Sequence, residues 1–432
     1  MELWGIPWWT ALLALVGGMA IVSAFITLFF ALNRPARYGV TERVPVDSDA
    51  FMQAITSAVN APAMTGGSAR LLNNGVEIFP AMLEAIRGAR HSINFMVYIW
   101  ESGKVSDRMF DALVERARAG VQVRMMLDGF GAFSAPGDRV RELEAAGGRV
   151  RFFNPAAWGR LLAFHKRNHR RAIIVDGKIA FTGGAAVSDV WLGDAQDEDH
   201  WRDTMVEVRG CLATNLQSSF VQLWSGGTGE ILVGEAFYPS EHDEPGAEAL
   251  TRHVHVTSTP ASVAHPLRVF FILTLACAQR RIWLTNSYFA PEVNMRRTLA
   301  ERARAGVDVR LLLPSRLTDA PFVRYASHAF YRELLEAGVR IFEYQPTMMH
   351  SKTLVVDGVW SVVGSANMDN RSKELNQESV IGILDRGFSR QIEATFERDL
   401  EQSREIRLEE WRRRPWPQRV YERFWVSFEQ QF

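Results

Sequence analysis

NHRRAIIVDG, residues 168–177, returns in outline as MHSKTLVVDG, residues 349–358. In both segments a histidine is followed two residues later by a cationic residue, and then by a mostly apolar run that ends in Asp-Gly. Residues two apart on a β-strand project from the same face, and Asp-Gly is typical of a hairpin turn. Each segment is therefore predicted to be a strand and turn that present one imidazole and one cation on the same side.

Two further pairs of segments repeat in the same order, which indicates a duplicated chain. LVERARAGVQVRMML (113–127) returns as LAERARAGVDVRLLL (299–313), and RELEAAGGRVRFF (141–153) returns as RELLEAGVRIFEY (332–344). Each segment has the pattern of a helix end followed by a strand. This alternation predicts an α/β fold with mainly parallel sheets, built from two copies that are related by a pseudo-twofold axis.

Changes in composition divide the chain into six segments. The polar stretch PSEHDEPGAEA, residues 239–249, separates the copies, and Phe51, Ile55 and Val59 lie at helical spacing ahead of the first copy. The predicted segments are a transmembrane anchor with a basic flank (1–37), a linker with a short helix (38–68), the first copy (69–238), an inter-copy linker (239–252), the second copy (253–405) and a basic, aromatic tail (406–432).

The N-terminal segment predicts a single transmembrane helix. No charged residue lies between Glu2 and Arg34, and Trp8–Leu32 is predominantly apolar. About 20 such residues cross a bilayer as a helix, whereas the apolar run of a cleavable signal peptide is shorter. Arg34, Arg37 and Arg43 follow this run, and cationic residues favour the cytoplasmic side of a membrane. We therefore expect the remainder of the chain to lie in the cytoplasm.

The overall charge is balanced, with 49 Lys and Arg residues against 49 Asp and Glu residues, so no net positive field favours nucleic acid. Cys211 and Cys277 form no CxxC pair. The sequence has no HExxH motif and no carboxylate cluster with the spacing of a metal site. We therefore expect neither a nucleic-acid partner nor a metal or other cofactor.

Two copies brought together would place two histidines and two cations around one pocket. A histidine and a cation on an apolar strand lose hydration, which is unfavourable unless they bind an anionic group. One imidazole can attack a phosphorus atom while the second protonates the departing alkoxide, and cations can neutralise the remaining phosphate oxygens. The pattern therefore indicates phosphodiester chemistry that needs no metal.

The two motifs, with GSANMDNRS (364–372) after the second, resemble the duplicated HxKxxxxD motif of the phospholipase D superfamily. Over residues 69–400 the chain is similar to bacterial cardiolipin synthases, nearest the short B type. The resemblance implies an inner-membrane enzyme that transfers a phosphatidyl group through a phosphohistidine to phosphatidylglycerol, with phosphatidylglycerol or phosphatidylethanolamine as donor. A hydrolytic phospholipase D and a noncatalytic lipid-binding scaffold are the alternatives, and the oligomeric state is open.

The resemblance also implies a role for each residue of the motifs. His169 is expected to be the nucleophile, and His350 the general acid and base. Arg171 and Lys352 match the cations that hold the phosphate. The other matched positions are carboxylates that orient the imidazoles, small polar residues near the phosphate, and aspartates that support the turns and the hydrogen bonds of the site: Asp203, Glu378, Ser365, Asn367, Asp176 and Asp357.

The first copy departs from the family pattern at two positions. Arg171 replaces the usual Lys, and Ala186 stands where the offset of the two motifs predicts an Asn like Asn367. Arg keeps the charge but offers a planar fork that can hold two phosphate oxygens. The first copy is therefore either decaying or altered but active. We favour an active copy, because His169 persists together with Asp203 as its supporting carboxylate.

Three other features admit two interpretations each. The mixed aromatic and basic segments at residues 156–168 and 411–428 could lie on a membrane. Alternatively, the first could be an ordinary loop packed on the protein, and the second a helix packed across the two copies. Tyr98 and Tyr288 recur near the ends of equivalent strands, where core packing is the default and pocket lining the alternative.

Overall fold

The computed structural model describes residues 37–155, 166–240, 252–259 and 265–426, together with the pairs 2–3, 6–7, 9–10, 13–14 and 17–18. The chain divides into two compact units, Met1–Gly39 and Val40–Phe432. In the first unit, strands β1 (Glu2–Leu3) and β2 (Ile6–Pro7) pair antiparallel. The predicted transmembrane run, residues 8–32, lies largely outside the described residues, so it stays a prediction. Within the described ranges, no helix is both long and apolar enough to cross a membrane.

Both copies form a sheet with the same strand order. The first sheet has the order β3-β9-β8-β7-β4-β5-β6, and its strands are β3 (Ser68–Asn73), β4 (Ser92–Val97), β5 (Gln122–Asp128), β6 (Arg149–Phe153), β7 (Ala172–Val175), β8 (Ile179–Gly183) and β9 (Thr204–Arg209). The helices up to the end of this copy are α1 (Asp49–Val59), α2 (Asn74–Gly88), α3 (Lys104–Arg118), α4 (Gly137–Ala145) and α5 (Cys211–Thr228).

The second sheet repeats this order and adds one edge strand. Its order is β10-β16-β15-β14-β11-β12-β13-β17, and its strands are β10 (Arg252–Ser258), β11 (Arg281–Thr285), β12 (Asp308–Pro314), β13 (Arg340–Tyr344), β14 (Thr353–Val356), β15 (Trp360–Gly364), β16 (Glu378–Leu384) and β17 (Ser403–Ile406). The helices are α6 (Pro266–Ala276), α7 (Val293–Arg304), α8 (Pro321–Glu336), α9 (Asn370–Glu374), α10 (Arg386–Glu401), α11 (Leu408–Arg412) and α12 (Trp416–Val426).

The prediction of mainly parallel sheets was wrong, because both sheets are mixed and mostly antiparallel. Parallel pairing is confined to β4-β5-β6 and β11-β12-β13. Helical crossovers such as α3 and α7 join those strands, and a crossover is what parallel pairing requires. After each motif, the turn at Asp176 or Asp357 returns the chain as a hairpin, which makes the next pairs antiparallel.

The prediction of two copies of one α/β unit is confirmed, and the copies share a hydrophobic core. One cluster of buried side chains includes Met96 and Val206 from the first sheet, and Val355, Val363 and Ile381 from the second. The first sheet buries its other face under α2 and α3. Helices α5 and α10 contribute to the same cluster and contact strands of both sheets, so the two copies pack together through these helices as well as through their strands.

Two local predictions are also resolved. The helix predicted before the first copy is α1, with Phe51, Ile55 and Val59 buried on one side. The tail forms α11 and α12, and α12 packs against α8 of the second copy. Of the two interpretations of the tail, packing against the protein is therefore correct for the side of α12 that carries Glu422. This side contacts α8 of the second copy and, within the described residues, does not bridge the two copies.

Candidate active site

The segment ahead of each motif pairs with a strand end of the other copy. The backbone N–H of His169 donates to Gln377 O at 2.9 Å, and that of Gln377 donates to Arg167 O at 2.8 Å. In the same way, the N–H of His350 donates to Arg202 O at 2.7 Å. Each motif histidine therefore lies beside the residue that precedes the other copy's carboxylate.

This pairing makes the two histidine–carboxylate contacts cross between the copies. His169 Nδ1 lies 2.9 Å from Glu378 Oε1, and His350 Nδ1 lies 2.7 Å from Asp203 Oδ2. The assignment of Asp203 to His169 is therefore corrected, because Asp203 supports the histidine of the other copy. An Nδ1–H that donates to a carboxylate fixes the tautomer and leaves the Nε2 lone pair for chemistry.

The cations of the two motifs occupy equivalent positions with different bonding. Arg171 donates from Nη1 to His169 O at 2.8 Å, whereas its Nε and Nη2 atoms are buried without a hydrogen-bond partner. Lys352 Nζ donates to His350 O and to Ser287 Oγ, both at 2.6 Å. Unsatisfied buried donors are costly unless a ligand pairs with them, so the unpaired edge of the guanidinium is suited to phosphate oxygens.

Both imidazoles are neutral at neutral pH. Burial lowers the pKa of His169 to about 4, and the charge of Arg171 acts in the same direction. Burial lowers the pKa of His350 to about 3, again with help from its neighbouring cation, Lys352. A neutral imidazole is the nucleophilic form, so either ring can attack phosphorus without first losing a proton.

The remaining charges are also shifted by burial and by their neighbours. Burial lowers the pKa of Lys352 to about 7. Burial pushes the pKa of Asp203 and of Glu378 upward, but their histidines and the nearby cations outweigh it and hold both pKa values below the ordinary range. The site thus holds two carboxylates that remain ionised beside two neutral imidazoles.

The carboxylates are held by different donors in the two copies. Ser365 Oγ donates to Glu378 Oε2 at 2.5 Å, and Ser372 Oγ donates to Oε1 at 2.9 Å. Trp191 Nε1 donates to Asp203 Oδ2 at 2.8 Å. Trp191 and Ser372 were missed in the sequence, although the offset that aligns His169 with His350 also aligns these two residues.

The same offset pairs small residues of the first copy with polar residues of the second. Gly184 corresponds to Ser365, and a Cβ atom on Gly184 would lie 2.2 Å from Asp203 Oδ1. Ala186 corresponds to Asn367, whose Oδ1 is buried without a hydrogen-bond partner. Ala186 packs into the hydrophobic core of the first copy. The second copy therefore supplies the polar side chains predicted near the phosphate.

Aromatic rings surround the imidazoles. The ring centroid of Tyr98 lies 4.9 Å from that of His169, and those of Trp191 and Trp201 both lie 5.4 Å from that of His350. Tyr288 lies 6.0 Å from His350. For the two tyrosines, the lining of the site is therefore the correct interpretation. The aromatic and basic segment predicted at residues 156–168 falls mainly outside the described residues.

Asp176 and Asp357 are not brought into the site. The Asp176 carboxylate accepts the backbone N–H groups of Arg90, His91 and Ser92. The Asp357 carboxylate accepts those of residues 279, 280 and 281. Both aspartates have a positive φ, as an Asp-Gly turn requires. They support the turns, as expected, but their predicted part in the hydrogen bonds of the site is corrected.

No group of three or more His, Cys, Asp or Glu side chains is arranged to hold a metal ion in the part of the chain that the structure describes. The groups brought together are instead His169, His350, Arg171, Lys352 and the two carboxylates. Two imidazoles with a guanidinium and an ammonium beside them can bind a phosphodiester, attack it and protonate its leaving group.

Comparisons with known proteins show the family of this chain. The family model described as "Cardiolipin synthase, PLD-like domain" matches residues 82–224 and 271–400. Cardiolipin synthase A of Pseudomonas syringae pv. syringae is 32% identical over 424 residues, which cover 95% of this chain and 87% of that protein. Cardiolipin synthase 2 of Bacillus anthracis is 34% identical over 357 residues, which cover 82% of this chain and 68% of that protein. The predicted likeness to the short B type stays a prediction.

A solved structure shares the fold. The crystal structure of phosphatidylserine synthase from Haemophilus influenzae matches with a TM-score of 0.70 and 14% identity, covering 89% of this chain and 100% of that chain. The family match extends over both copies, and both carry a histidine, a cation and a carboxylate in the site. This chain belongs to the cardiolipin synthase family and is a phosphatidyltransferase of the phospholipase D superfamily.

Proposed function

We propose that this enzyme makes cardiolipin by transferring a phosphatidyl group from a donor phospholipid, through a phosphohistidine, to phosphatidylglycerol. The observation that carries this proposal is the crossed pairing of His169 with Glu378 and of His350 with Asp203. If the first copy had lost its function, we would not expect its imidazole to retain a contact with a carboxylate of the second copy. The noncatalytic scaffold is therefore not the function we favour.

In the first step, Nε2 of His169 attacks the phosphorus of the donor, which is phosphatidylglycerol or phosphatidylethanolamine. The bond from phosphorus to the headgroup oxygen breaks, and His350, in its protonated form, gives the leaving alkoxide its proton. Burial and the charge of Lys352 lower the pKa of His350 to about 3. A bound phosphodiester anion raises this pKa, because a nearby negative charge favours the imidazolium.

In the second step, a glycerol hydroxyl of phosphatidylglycerol attacks the same phosphorus. His350 takes the hydroxyl proton, the bond between phosphorus and His169 Nε2 breaks, and cardiolipin leaves. The free headgroup alcohol is the other product. Both histidines return to their starting protonation states, so the cycle is balanced without a cofactor.

Arg171 and Lys352 stabilise the charge that develops on the nonbridging oxygens. The unpaired Nε and Nη2 atoms of Arg171 form a fork of suitable width for two phosphate oxygens. Donors that are already in place when charge develops are among the largest contributions to catalysis. The exchange of Lys for Arg in the first copy is thus compatible with an active site.

We also propose that residues 8–32 anchor the enzyme in the bacterial inner membrane, with the catalytic unit in the cytoplasm. The support is the uncharged, predominantly apolar sequence and the arginines that follow it. An anchor of this kind raises the effective concentration of both lipid substrates at the site.

The test is to express the chain in a bacterial host that lacks its own cardiolipin synthases, and to analyse its lipids by mass spectrometry. We expect cardiolipin with the wild-type chain and none with His169→Ala. His91→Ala is the matched control, since His91 is exposed and lies outside the site. Accumulation of phosphatidic acid without cardiolipin would make the enzyme a hydrolase, and unchanged lipids with the wild-type chain would refute the proposal.

A further inference from the structure

One side of helix α12 exposes apolar and basic side chains together. Trp416, Val420 and Phe424 lie four residues apart on one face, and they are 69%, 59% and 55% exposed. Arg419 and Arg423, on the same helix, are also exposed. We call these five residues the C-terminal face. Large apolar side chains exposed in a row are unusual on a soluble surface and mark a contact site.

The opposite side of α12 holds the helix in place. Glu422 is buried, accepts a hydrogen bond from Arg414, and lies 3.4 Å from Nδ1 of His328. Trp425 packs on a small apolar cluster of the second copy that includes Ala320. Because these inner contacts dock the helix, the C-terminal face is not needed to hold α12 on the protein.

The charge of this region is positive although the chain as a whole is neutral. Between Ile406 and Val426 there are six arginines and three glutamates. Arg419 and Arg423 have no carboxylate partner among the residues that the structure describes. All five residues of the C-terminal face also line an open cavity of about 680 Å³ between α8 and α12, together with Arg332 and Arg414. The unpaired positive charge is therefore concentrated beside the apolar row.

We propose that the C-terminal face docks onto an anionic phospholipid surface. Arginines bind lipid phosphates, while Trp and Phe side chains enter the boundary between headgroups and acyl chains, and a helix that presents both lies in the plane of the interface. Nucleic acid would match the arginines but not the apolar row, and a second copy of this chain would bring like charges together. This proposal is independent of catalysis and of the N-terminal anchor.

The docked helix is connected to the active site. The apolar cluster that receives Trp425 also receives Tyr288. The Tyr288 ring lies 5.8 Å from Lys352 Nζ, and its hydroxyl donates to Asp319 at 2.7 Å. Docking through α12 therefore holds the part of the active site that contains Tyr288 and Lys352 close to the lipid surface that supplies the substrates.

A label on the C-terminal face tests the proposal directly. Val420→Cys is made in the full chain with Cys211→Ser, labelled with an environment-sensitive fluorophore, and reconstituted in phosphatidylcholine vesicles with or without 30% phosphatidylglycerol. Cys277 is buried and does not compete for the label. We expect a blue shift of emission only with phosphatidylglycerol, its loss with Arg419→Ala and Arg423→Ala, and no shift for a label at the exposed position Glu84.

Activity provides a second measurement, because the label reports docking whether or not the enzyme turns over. We expect Arg419→Ala with Arg423→Ala to lower the rate on vesicles about 10- to 30-fold, since each arginine near an anionic surface contributes roughly five-fold. The rate on monomeric short-chain phosphatidylglycerol should be unchanged. Arg108→Ala with Arg141→Ala, two exposed arginines of the first copy, is the control of equal charge change.

Three outcomes would overturn the proposal. One is an equal blue shift with and without phosphatidylglycerol. Another is a blue shift already present without vesicles, which would mean that a second copy or the chain itself covers the face. The third is an equal loss of rate on vesicles and on monomeric lipid.

Discussion

In the second copy two serine hydroxyls donate to the carboxylate Glu378, whereas in the first copy the Trp191 indole and the backbone N–H of Thr204 donate to Asp203. The two serines are Ser365 and Ser372. The cations differ as well, since Arg171 keeps two unpaired donors while Lys352 binds Ser287. The imidazoles are nevertheless held alike, so the two halves reach one geometry with different side chains.

This comparison indicates that, within each copy, the length of the carboxylate side chain is matched to the size of the residue beside it. Glu378 is longer than Asp203 by one methylene, and it is accompanied by Ser365. Asp203 is accompanied by Gly184, where any Cβ would lie 2.2 Å from its Oδ1 atom. The first copy thus combines a glycine with the Asp203 carboxylate, whereas the second copy combines Ser365 with the longer Glu378.

Replacing either motif histidine should have the largest effect, and the two variants should distinguish the roles of these residues. His169→Ala and His350→Ala should each lower kcat/KM at least about 10³-fold. With a p-nitrophenyl phosphodiester, whose leaving group needs no proton, His350→Ala should still form a phosphohistidine and His169→Ala should not. Rapid quenching with mass spectrometry detects the intermediate. A phosphorylated His350 in the His169→Ala protein would reverse the two roles.

The cations should differ in their response to pH. Because burial lowers the pKa of Lys352 to about 7, its charged form is present below pH 7 and is lost above it. About 1% remains protonated two pH units higher, so kcat/KM should fall on the order of 100-fold between pH 6 and pH 9. Lys352→Arg should flatten this alkaline limb, since Arg stays charged. An unchanged limb in that variant would show that another group titrates.

Gly184→Ala probes the coupling between the glycine and Asp203. The new Cβ would push the Asp203 carboxylate away from His350, so we expect kcat/KM to fall about 30-fold. The matched control is Gly88→Ala, where a Cβ meets no atom within 4 Å. Equal activities of the two variants would remove the steric argument for the glycine.

Arg171→Lys gives the first copy a lysine at the position where the second copy has Lys352. The charge is kept but the fork is lost, so we expect kcat/KM to fall about 10-fold. The measurement is steady-state kinetics near pH 6, where Lys352 is charged. A gain in activity would instead mean that the first half had been weakened by Arg171.

The smallest effect concerns the donors to the carboxylates. Trp191→Phe keeps an aromatic ring near His350 but removes the hydrogen bond to Asp203, and Ser372→Ala removes one hydrogen bond to Glu378. Each should lower kcat/KM about three- to five-fold, as for the loss of one hydrogen bond. A loss much larger in one variant would show which half depends more on its donor.

The sequence predicted the histidines, cations and carboxylates of the site, but it missed Trp191 and Ser372, and it did not predict which groups pair. The histidines, cations and carboxylates were found from repeated motifs and from the family resemblance. The crossing of Asp203 to His350 depends on backbone pairing between the copies, such as that of Arg202 with His350. A local pattern contains no information on such a contact between distant parts of the chain.

The error in sheet type has a similar cause. Helix–strand alternation was correctly identified around β4 and β5, and it was extended to the whole sheet. The Asp-Gly turn at Asp176 was also identified, yet a hairpin makes its strands antiparallel. The roles of Ala186 and Gly184 were more difficult to predict. A small residue is explained by the neighbouring groups that need the space, and these are known only from the structure.

The crossed pairing has a consequence for synthesis on the ribosome, where the N-terminal part of a chain folds first. When the first copy has emerged, His169 has no carboxylate beside it, because Glu378 is made 209 residues later. The nascent chain therefore contains the first motif histidine before the carboxylate that orients its imidazole has been synthesised. Under the proposed mechanism, the phosphohistidine can therefore form only after the second copy has been synthesised and has folded against the first.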